Sequence, residues 1–280
     1  MVRWLGRTAL ALGVVALGAW LAVGVFLYVM QDRLLFPAPG GIGRDALDAA
    51  AGEVGAEPIT LRADDGVGLY GWWLRGDHGR VVLFFHGNGE TVADYAPLYR
   101  VLLRAGWDVA TVAYRGYPGS DPVAPSEDGM ARDAAALWAW AVERYPAERV
   151  VVHGRSLGGG VAAILVDGDA NPAALVLEST FVSVTALARR IAPVYPVGWL
   201  LRNRFETVDR APRLGVPVLV LHSSDDQVIP LAASAKQLLP IIAEVEYHET
   251  SGFDHQSCLP VSDPRMRSAY LAFLDRVVPR

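Results

Sequence analysis

Val150-Val151-Val152-His153-Gly154-Arg155-Ser156-Leu157-Gly158-Gly159-Gly160 is the stretch on which the reading of this chain turns. Val150 to His153 is short, apolar and β-branched, as a strand buried on both faces is. Leu157 to Val166 reads as a Gly- and Ala-rich helix. Between them stands Gly-x-Ser-x-Gly. With 28 glycines in 280 residues, that pattern arises by chance roughly 0.1 times per chain, so its flanks must decide. Strand, sharp turn and helix are the flanks that a nucleophile elbow needs. Such a turn strains the serine backbone and exposes its Oγ. Side chains at Gly154 and Gly158 would collide across it, and Gly159 and Gly160 let the helix approach the sheet. The helix N terminus then points at the serine, where its dipole favours developing negative charge. The blander reading is a glycine-rich turn with an incidental serine, and the flanks weigh against it.

Outward from this turn the chain alternates. Apolar runs at Arg80–His86, Trp107–Tyr114, Arg149–His153, Ala174–Glu178, Val216–His222 and Glu244–His248 are separated by helical stretches at 93–105, 127–145, 157–166 and 231–239. Alternation of this kind predicts an α/β domain with a mostly parallel central sheet and right-handed crossovers. Before it, Pro58–Arg62 and Val67–Leu74 flank Asp64-Asp65-Gly66, a strong hairpin signal. One insert, Ser179–Leu214, interrupts the alternation and contains Pro193, Pro196 and the apolar stretch Val194–Leu201.

A nucleophilic serine needs a base, and the base an orienting acid. After an elbow of this type they are expected in the order acid, then histidine, each beyond a later strand. His255, in Ser251-Gly252-Phe253-Asp254-His255, is the base candidate, with His248 as its rival. His86 and His222 end strands, His153 should point into the sheet layers, and His78 lies in a turn. Asp225 and Asp226 compete for the acid in His222-Ser223-Ser224-Asp225-Asp226, and Glu178 is a third option. The oxyanion hole needs two backbone N–H groups. Leu157 should supply one and Asn88, in His86-Gly87-Asn88-Gly89-Glu90, the other. No His, Asp or Glu cluster has metal-ligand spacing and no phosphate loop occurs, so no cofactor is expected. Trp72, Trp73, Trp138 and Trp140 read as packing residues rather than as substrate platforms.

The N terminus is of another kind. Thr8 to Met30 holds no charged residue. Its 23 residues make about 35 Å of helix, enough to cross a hydrocarbon core of about 30 Å. Arg3 and Arg7 precede it, and Asp32 and Arg33 follow. That balance predicts a single-pass anchor with a cytoplasmic N terminus and the domain on the opposite side. A cleavable signal peptide fits less well, because its apolar core is only about 7–15 residues long and ends at a small-residue site. The expected division is an anchor at 1–33, a Gly-, Ala- and Pro-rich juxtamembrane linker with a short helix at 34–57 and the α/β domain at 58–280.

Composition agrees with a partly membrane-borne globular chain. Hydrophobic residues are 52% and charged residues 20%, with a mean hydropathy of +0.26. Disordered tails and coiled coils are excluded. The formal net charge is −5, and beyond residue 33 the chain carries 22 basic against 29 acidic residues. A nucleic-acid partner is therefore not expected. Cys258, the single cysteine, excludes an intramolecular disulfide and a Cys-based zinc cluster.

With HGNG at 86–89, YRGYPGS at 114–120, GRSLGGG at 154–160, SSDDQVIP at 223–230 and GFDH at 252–255, the chain resembles the α/β-hydrolase superfamily over about residues 58–280. It most resembles the small membrane-anchored, Bem46-like branch, whose members pair an N-terminal span with a segment like Gln31-Asp32-Arg33-Leu34-Leu35-Phe36-Pro37. The resemblance implies the α/β-hydrolase fold with a short cap at about 179–214. Aligned on His222 and Pro230, the family pattern H-G-x-x-D-x-x-V-P places the acid at Asp226. Ser223 stands where that pattern has glycine, and Pro118 where glycine is common. The cap residues Val194, Tyr195, Val197, Trp199 and Leu200 are expected either to line an acyl pocket or to pack on the sheet.

The expectation is thus a membrane-anchored serine hydrolase cleaving carboxylic esters or thioesters with Ser156, His255 and Asp226, its substrate an acyl ester or thioester near the membrane, to which the resemblance adds a lipid or an acylated protein as candidates. A serine peptidase, a cofactor-free haloperoxidase or a noncatalytic membrane-tethered binding module are the alternatives.

Overall fold

Each of the six apolar runs contains a strand, and the turn after Arg62 closes the hairpin. The computed structural model describes residues 2–77, 79–168 and 170–280, so His78 lies outside the described residues. In chain order come α1 (Val2–Leu35), α2 (Arg44–Val54), β1 (Glu57–Arg62), β2 (Gly68–Leu74), β3 (Val81–Phe85), α3 (Ala96–Arg104), β4 (Asp108–Val112), α4 (Glu127–Val142), β5 (Val150–Arg155) and α5 (Leu157–Asp167). Then follow β6 (Ala174–Glu178), α6 (Val184–Ile191), α7 (Val197–Leu200), α8 (Thr207–Arg210), β7 (Val218–Ser223), β8 (Val245–Thr250), α9 (Leu259–Ser262) and α10 (Pro264–Val277).

Among the described residues the eight strands form one sheet in the order β1-β2-β4-β3-β5-β6-β7-β8. β2 runs antiparallel to β1 and β4, and the pairs from β4 through β8 are parallel. In the hairpin, Gly66 takes φ +88° and its N–H donates to the Ala63 carbonyl at 2.9 Å, a conformation glycine adopts without steric cost. Every residue of β3, β4, β5, β6 and β7 is buried, which explains why those strands read as unbroken apolar runs rather than as alternating ones. At about 1.5–3 kcal/mol per buried Val, Leu or Phe side chain, this layer dominates the stability of the domain.

The strand order reverses around β3, with β4 on one side and β5 on the other. The loops leaving the carboxyl ends of β3 and β5 therefore diverge and open a crevice. The HGNG segment follows β3 and the Ser156 turn follows β5, so the topology alone brings both to one edge of the sheet.

One expectation is corrected. Residues 231–239 do not form an α-helix; they make two short 3₁₀ turns, Leu231–Ala233 and Ala235–Leu238. Ser234 between them is extended and bridges to Phe181. The N–H of Ala235 serves the Thr180 carbonyl at 2.9 Å, and Val182 donates to Ala233 at 2.9 Å. The backbone of 180–182 leaves the sheet buried and needs partners, and supplying them breaks the helix. The juxtamembrane stretch contains the short helix α2, with Leu47 and Ala51 buried against the domain. α1 runs on to Leu35, Phe36 is 5% exposed, and the Phe36 ring meets Phe205 edge-on at 6.3 Å.

Candidate active site

Ser156 sits on the turn between β5 and α5 with φ +51° and ψ −119°. A non-glycine residue at that φ is strained and must be held there by its surroundings. The Ser156 N–H donates to the Glu178 carbonyl at 2.9 Å, and Thr180 Oγ1 donates to the Ser156 carbonyl at 2.7 Å. Both clamps come from the end of the neighbouring β6. Leu157 opens α5, so its N–H is one of the donors that a helix leaves unpaired in its first turn.

His255 arrives from the loop beyond β8, and its Nε2 lies 2.9 Å from Ser156 Oγ. Its Nδ1 faces Asp226 Oδ2 at 2.7 Å. The other Asp226 oxygen accepts the N–H groups of Val228 at 2.9 Å and Ile229 at 2.7 Å. That carboxylate is thus fixed by its own loop before it meets the imidazole. Burial pushes the Asp226 carboxyl up, but the hydrogen bond and charge of His255 outweigh it, and it titrates below its ordinary 3.8. Ser156 and His255 are 7% and 8% exposed.

The rival groups are occupied elsewhere. Asp225 is exposed, and its Oδ2 accepts the Gly252 N–H at 2.5 Å. Glu178 is wholly buried, bonds His153 Nε2 at 3.0 Å and accepts the Leu259 N–H at 2.7 Å. It fixes β6 to β5 and to the start of α9. His248 pairs with Glu246 at 2.7 Å on the outer strand β8. His222 is buried against the Ile229 carbonyl at 2.8 Å, and burial holds its pKa below 6.5. Burial also pushes the Cys258 thiol up, so it is a poor competing nucleophile.

The HGNG loop reaches the serine by its backbone. A Cβ built on Gly87 would stand 3.3 Å from Ser156 Cβ, and Asn88 follows directly. The Asn88 side chain is committed to structure, accepting from Tyr117 Oη at 2.7 Å and donating to the Leu35 carbonyl at 2.6 Å.

Arg155, the variable residue of Gly-x-Ser-x-Gly, was not read as part of the site. Its guanidinium is 1% exposed and bonds Glu90 Oε1 at 2.9 Å, Tyr95 Oη at 2.7 Å and the His255 carbonyl. It therefore links the loops after β3, β5 and β8. An arginine between a buried strand and a buried helix was the available signal, since such a charge requires partners.

Among the cap residues, Tyr195, Val197 and Trp199 line one cavity. Tyr195 and Leu200 lie against α1, and Val194 and Trp199 face outward at 67% and 89% exposure. Of the five, Val197 is the buried one.

The Asp226 geometry sets an acid limit. A carboxyl with a lowered folded pKa contributes stability that is complete above 3.8 and is lost as pH falls through the folded value. Below about pH 4 the melting midpoint of the wild type will therefore fall more steeply than that of Asp226→Asn. Parallel curves from neutral to acid pH would mean that the carboxylate is not held by the imidazole.

Comparisons with known proteins agree with this architecture. The family described as serine aminopeptidase S33 matches residues 76–207. An uncharacterised protein of Mycobacterium tuberculosis is 32% identical over 253 residues, covering 88% of each chain. Protein bem46 of Schizosaccharomyces pombe is 29% identical over 82% of this chain and 79% of its own. A lysophosphatidylserine lipase of Danio rerio is 34% identical over 56% of this chain and 46% of its own. Among solved structures, an esterase of Pyrococcus furiosus superposes with a TM-score of 0.69 at 17% identity, covering 86% of this chain and 98% of that one. With its mostly parallel eight-stranded sheet, its elbow after β5 and these relatives, the chain belongs to the α/β-hydrolase superfamily, in its Bem46-like branch.

Proposed function

We propose that this hydrolase cleaves carboxylic esters or thioesters at a membrane surface through Ser156, His255 and Asp226. The observation that carries the reading is the continuous contact Ser156 Oγ–His255 Nε2 at 2.9 Å and His255 Nδ1–Asp226 Oδ2 at 2.7 Å. Ser156 attacks the acyl carbonyl while His255 takes its proton. Asp226 holds the imidazole in the tautomer that accepts at Nε2 and balances the imidazolium. The N–H groups of Leu157 and Asn88 stabilise the oxyanion. The leaving alcohol or thiol departs with the proton from His255, and water then cleaves the acyl-enzyme by the same route.

α1 serves as the anchor. Leu10–Leu35 is long and apolar enough to cross a bilayer, and none of its most apolar stretch is buried against the domain. Its flanking arginines orient the N terminus to the cytoplasm and the domain to the opposite side. The chain then divides into the anchor at 1–33, a docked connector at 34–57 and the hydrolase at 58–280, with 179–214 as its cap. A membrane-proximal acyl ester is the substrate class, and the likeness to a lipase supports it.

The test is labelling of the membrane-extracted full chain with a fluorophosphonate, followed by turnover of p-nitrophenyl esters, thioesters and an aminoacyl anilide. Wild type will label and will turn over the esters. The amide arm is included because the matched family is described as an aminopeptidase. Folded wild type that neither labels nor turns over any of these would overturn the reading.

A further inference from the structure

The insert between β6 and β7 carries eleven consecutive residues without a charge, Ile191-Ala192-Pro193-Val194-Tyr195-Pro196-Val197-Gly198-Trp199-Leu200-Leu201. Arg189 and Arg190 stand immediately before this run, and Arg202 and Arg204 just after it. Ile191, Val194 and Trp199 are 85%, 67% and 89% exposed. A soluble domain does not leave such a cluster open to water without a partner.

The partner is identified by where the insert lies. The Tyr195 ring stacks on Trp20 with centroids 5.1 Å apart, and Tyr195 Oη donates to the Trp20 carbonyl at 3.0 Å. Trp20 Nε1 donates in turn to the Val194 carbonyl at 3.3 Å. Gly24 makes room for the tyrosine, since a Cβ there would meet its ring at 3.0 Å. Higher on α1, Gln31 Nε2 donates to the Leu200 carbonyl at 3.2 Å and Gln31 Oε1 accepts the Arg202 N–H at 2.8 Å. Arg202 also pairs with Asp32 at 2.8 Å. The charge boundary of the insert is therefore in register with the charge boundary of α1. Both elements turn polar at the same level.

Depth follows from this register. Trp20 precedes Met30 by ten residues, or about 15 Å of helix, half of a hydrocarbon core of about 30 Å. Val194 and Tyr195 are docked at Trp20. Wherever α1 crosses a bilayer, they lie well below the surface with it. We propose that Ile191–Leu201 is immersed in the leaflet from which α1 emerges, as a second membrane-contacting element of the domain. The inference rests on α1 being the anchor.

The backbone of the segment suits a lipid environment. Ala192, Tyr195, Val197, Trp199, Leu200 and Leu201 donate their N–H groups to carbonyls in the segment or in the turn before it, and prolines 193 and 196 have no N–H to satisfy. Arg202 stays with Asp32, and Arg189, Arg190 and Arg204 can extend to headgroups while their stems stay apolar. They form a local positive patch on a domain that is acidic as a whole, as an anionic lipid surface demands. Tyr28, under the Arg202 guanidinium at 5.3 Å, stands at the level where aromatic residues gather at interfaces.

The test uses the full chain in vesicles containing phosphatidylglycerol, with Cys258→Ser as background. Single cysteines at Leu17→Cys, Val194→Cys, Trp199→Cys and Val142→Cys carry an environment-sensitive dye. Spin-labelled lipids with a nitroxide in the acyl chain are the quenchers. Labels at 17, 194 and 199 will lose more than half of their fluorescence, and the label at 142, on the far exposed end of α4, will keep it. A quenched label at 17 with unquenched labels at 194 and 199 would overturn the immersion of the insert and leave the anchor standing. A label at 17 that stays unquenched would overturn the anchor, and the inference with it.

Discussion

Ser156→Ala will lower kcat/KM for a p-nitrophenyl ester by about 10⁴–10⁶-fold and abolish fluorophosphonate labelling, while the melting midpoint stays close to that of the wild type. The hydroxyl makes one side-chain contact of consequence, 2.9 Å to His255, so removing it costs the fold little. The more discriminating comparison is between adjacent aspartates. Asp226→Asn will cost about 10³–10⁴-fold, because an amide that donates toward His255 Nδ1 turns the imidazole into the wrong tautomer. Asp225→Asn will stay within a few-fold of wild type, since its carboxylate faces solvent and holds the Gly252 N–H. Equal losses at 225 and 226 would sink the assignment of Asp226, and a large loss at 225 alone would reverse it.

That comparison also marks where sequence stops and structure begins. The order of Ser156, Asp226 and His255 along the chain was legible because an elbow has few solutions. Strand, glycine, serine, glycine and helix together specify a backbone, and the acid and base must then follow later strands. The choice between Asp225 and Asp226 was not legible from residue chemistry. Neighbours in one loop differ only in which way the turn points them. Asp226 points inward because its Oδ1 caps the N–H groups of Val228 and Ile229. Ser223, which stands where the family pattern has glycine, donates its hydroxyl to the Phe253 carbonyl at 2.6 Å. The departure from pattern thus ties the loop of Asp226 to the loop of His255.

The parallel strands β3 to β7 were legible because burial on both faces removes alternation, leaving short apolar runs. Residues 231–239 were misread for the complementary reason. Helical spacing of Leu231, Ala235 and Leu238 says nothing about the unpaired backbone at 180–182 that claims Ala233 and Ala235. The contact of the insert with α1 was not legible. An apolar run in a cap is expected to face substrate or sheet, and sequence alone does not say that α1 comes back to meet it. The pairing of Arg202 with Asp32, the stacking of Tyr195 on Trp20 and the hydrogen bonds of Trp20 and Gln31 to the insert place the two apolar stretches side by side.

Gly158→Ala will be the most damaging single methyl group in the domain. A Cβ at Gly158 would stand 2.0 Å from the Phe85 carbonyl oxygen and 2.7 Å from that of His86. Those atoms are backbone at the end of β3, which is paired on both sides by β4 and β5 and cannot retreat without breaking a ladder. The cost is at least about 3 kcal/mol, beyond ordinary overpacking, and the midpoint of thermal unfolding will drop by at least about 6 °C. Gly52→Ala is the control. It lies within α2 with nothing within 4 Å of an added Cβ, so the same substitution will be neutral or stabilising by up to about 1 kcal/mol. Activity separates the local from the global effect. The close approach of α5 to β3 is what sets the HGNG backbone beside Ser156, where a Cβ added at Gly87 would stand 3.3 Å from Ser156 Cβ. The fraction of Gly158→Ala that remains folded at low temperature will therefore hydrolyse ester more slowly per folded molecule than wild type, whereas Gly52→Ala will not. A Gly158→Ala protein that melts with the wild type and turns over at its rate would mean that α5 does not lie against β3 at this distance, and the oxyanion donors would then need to be sought in another loop.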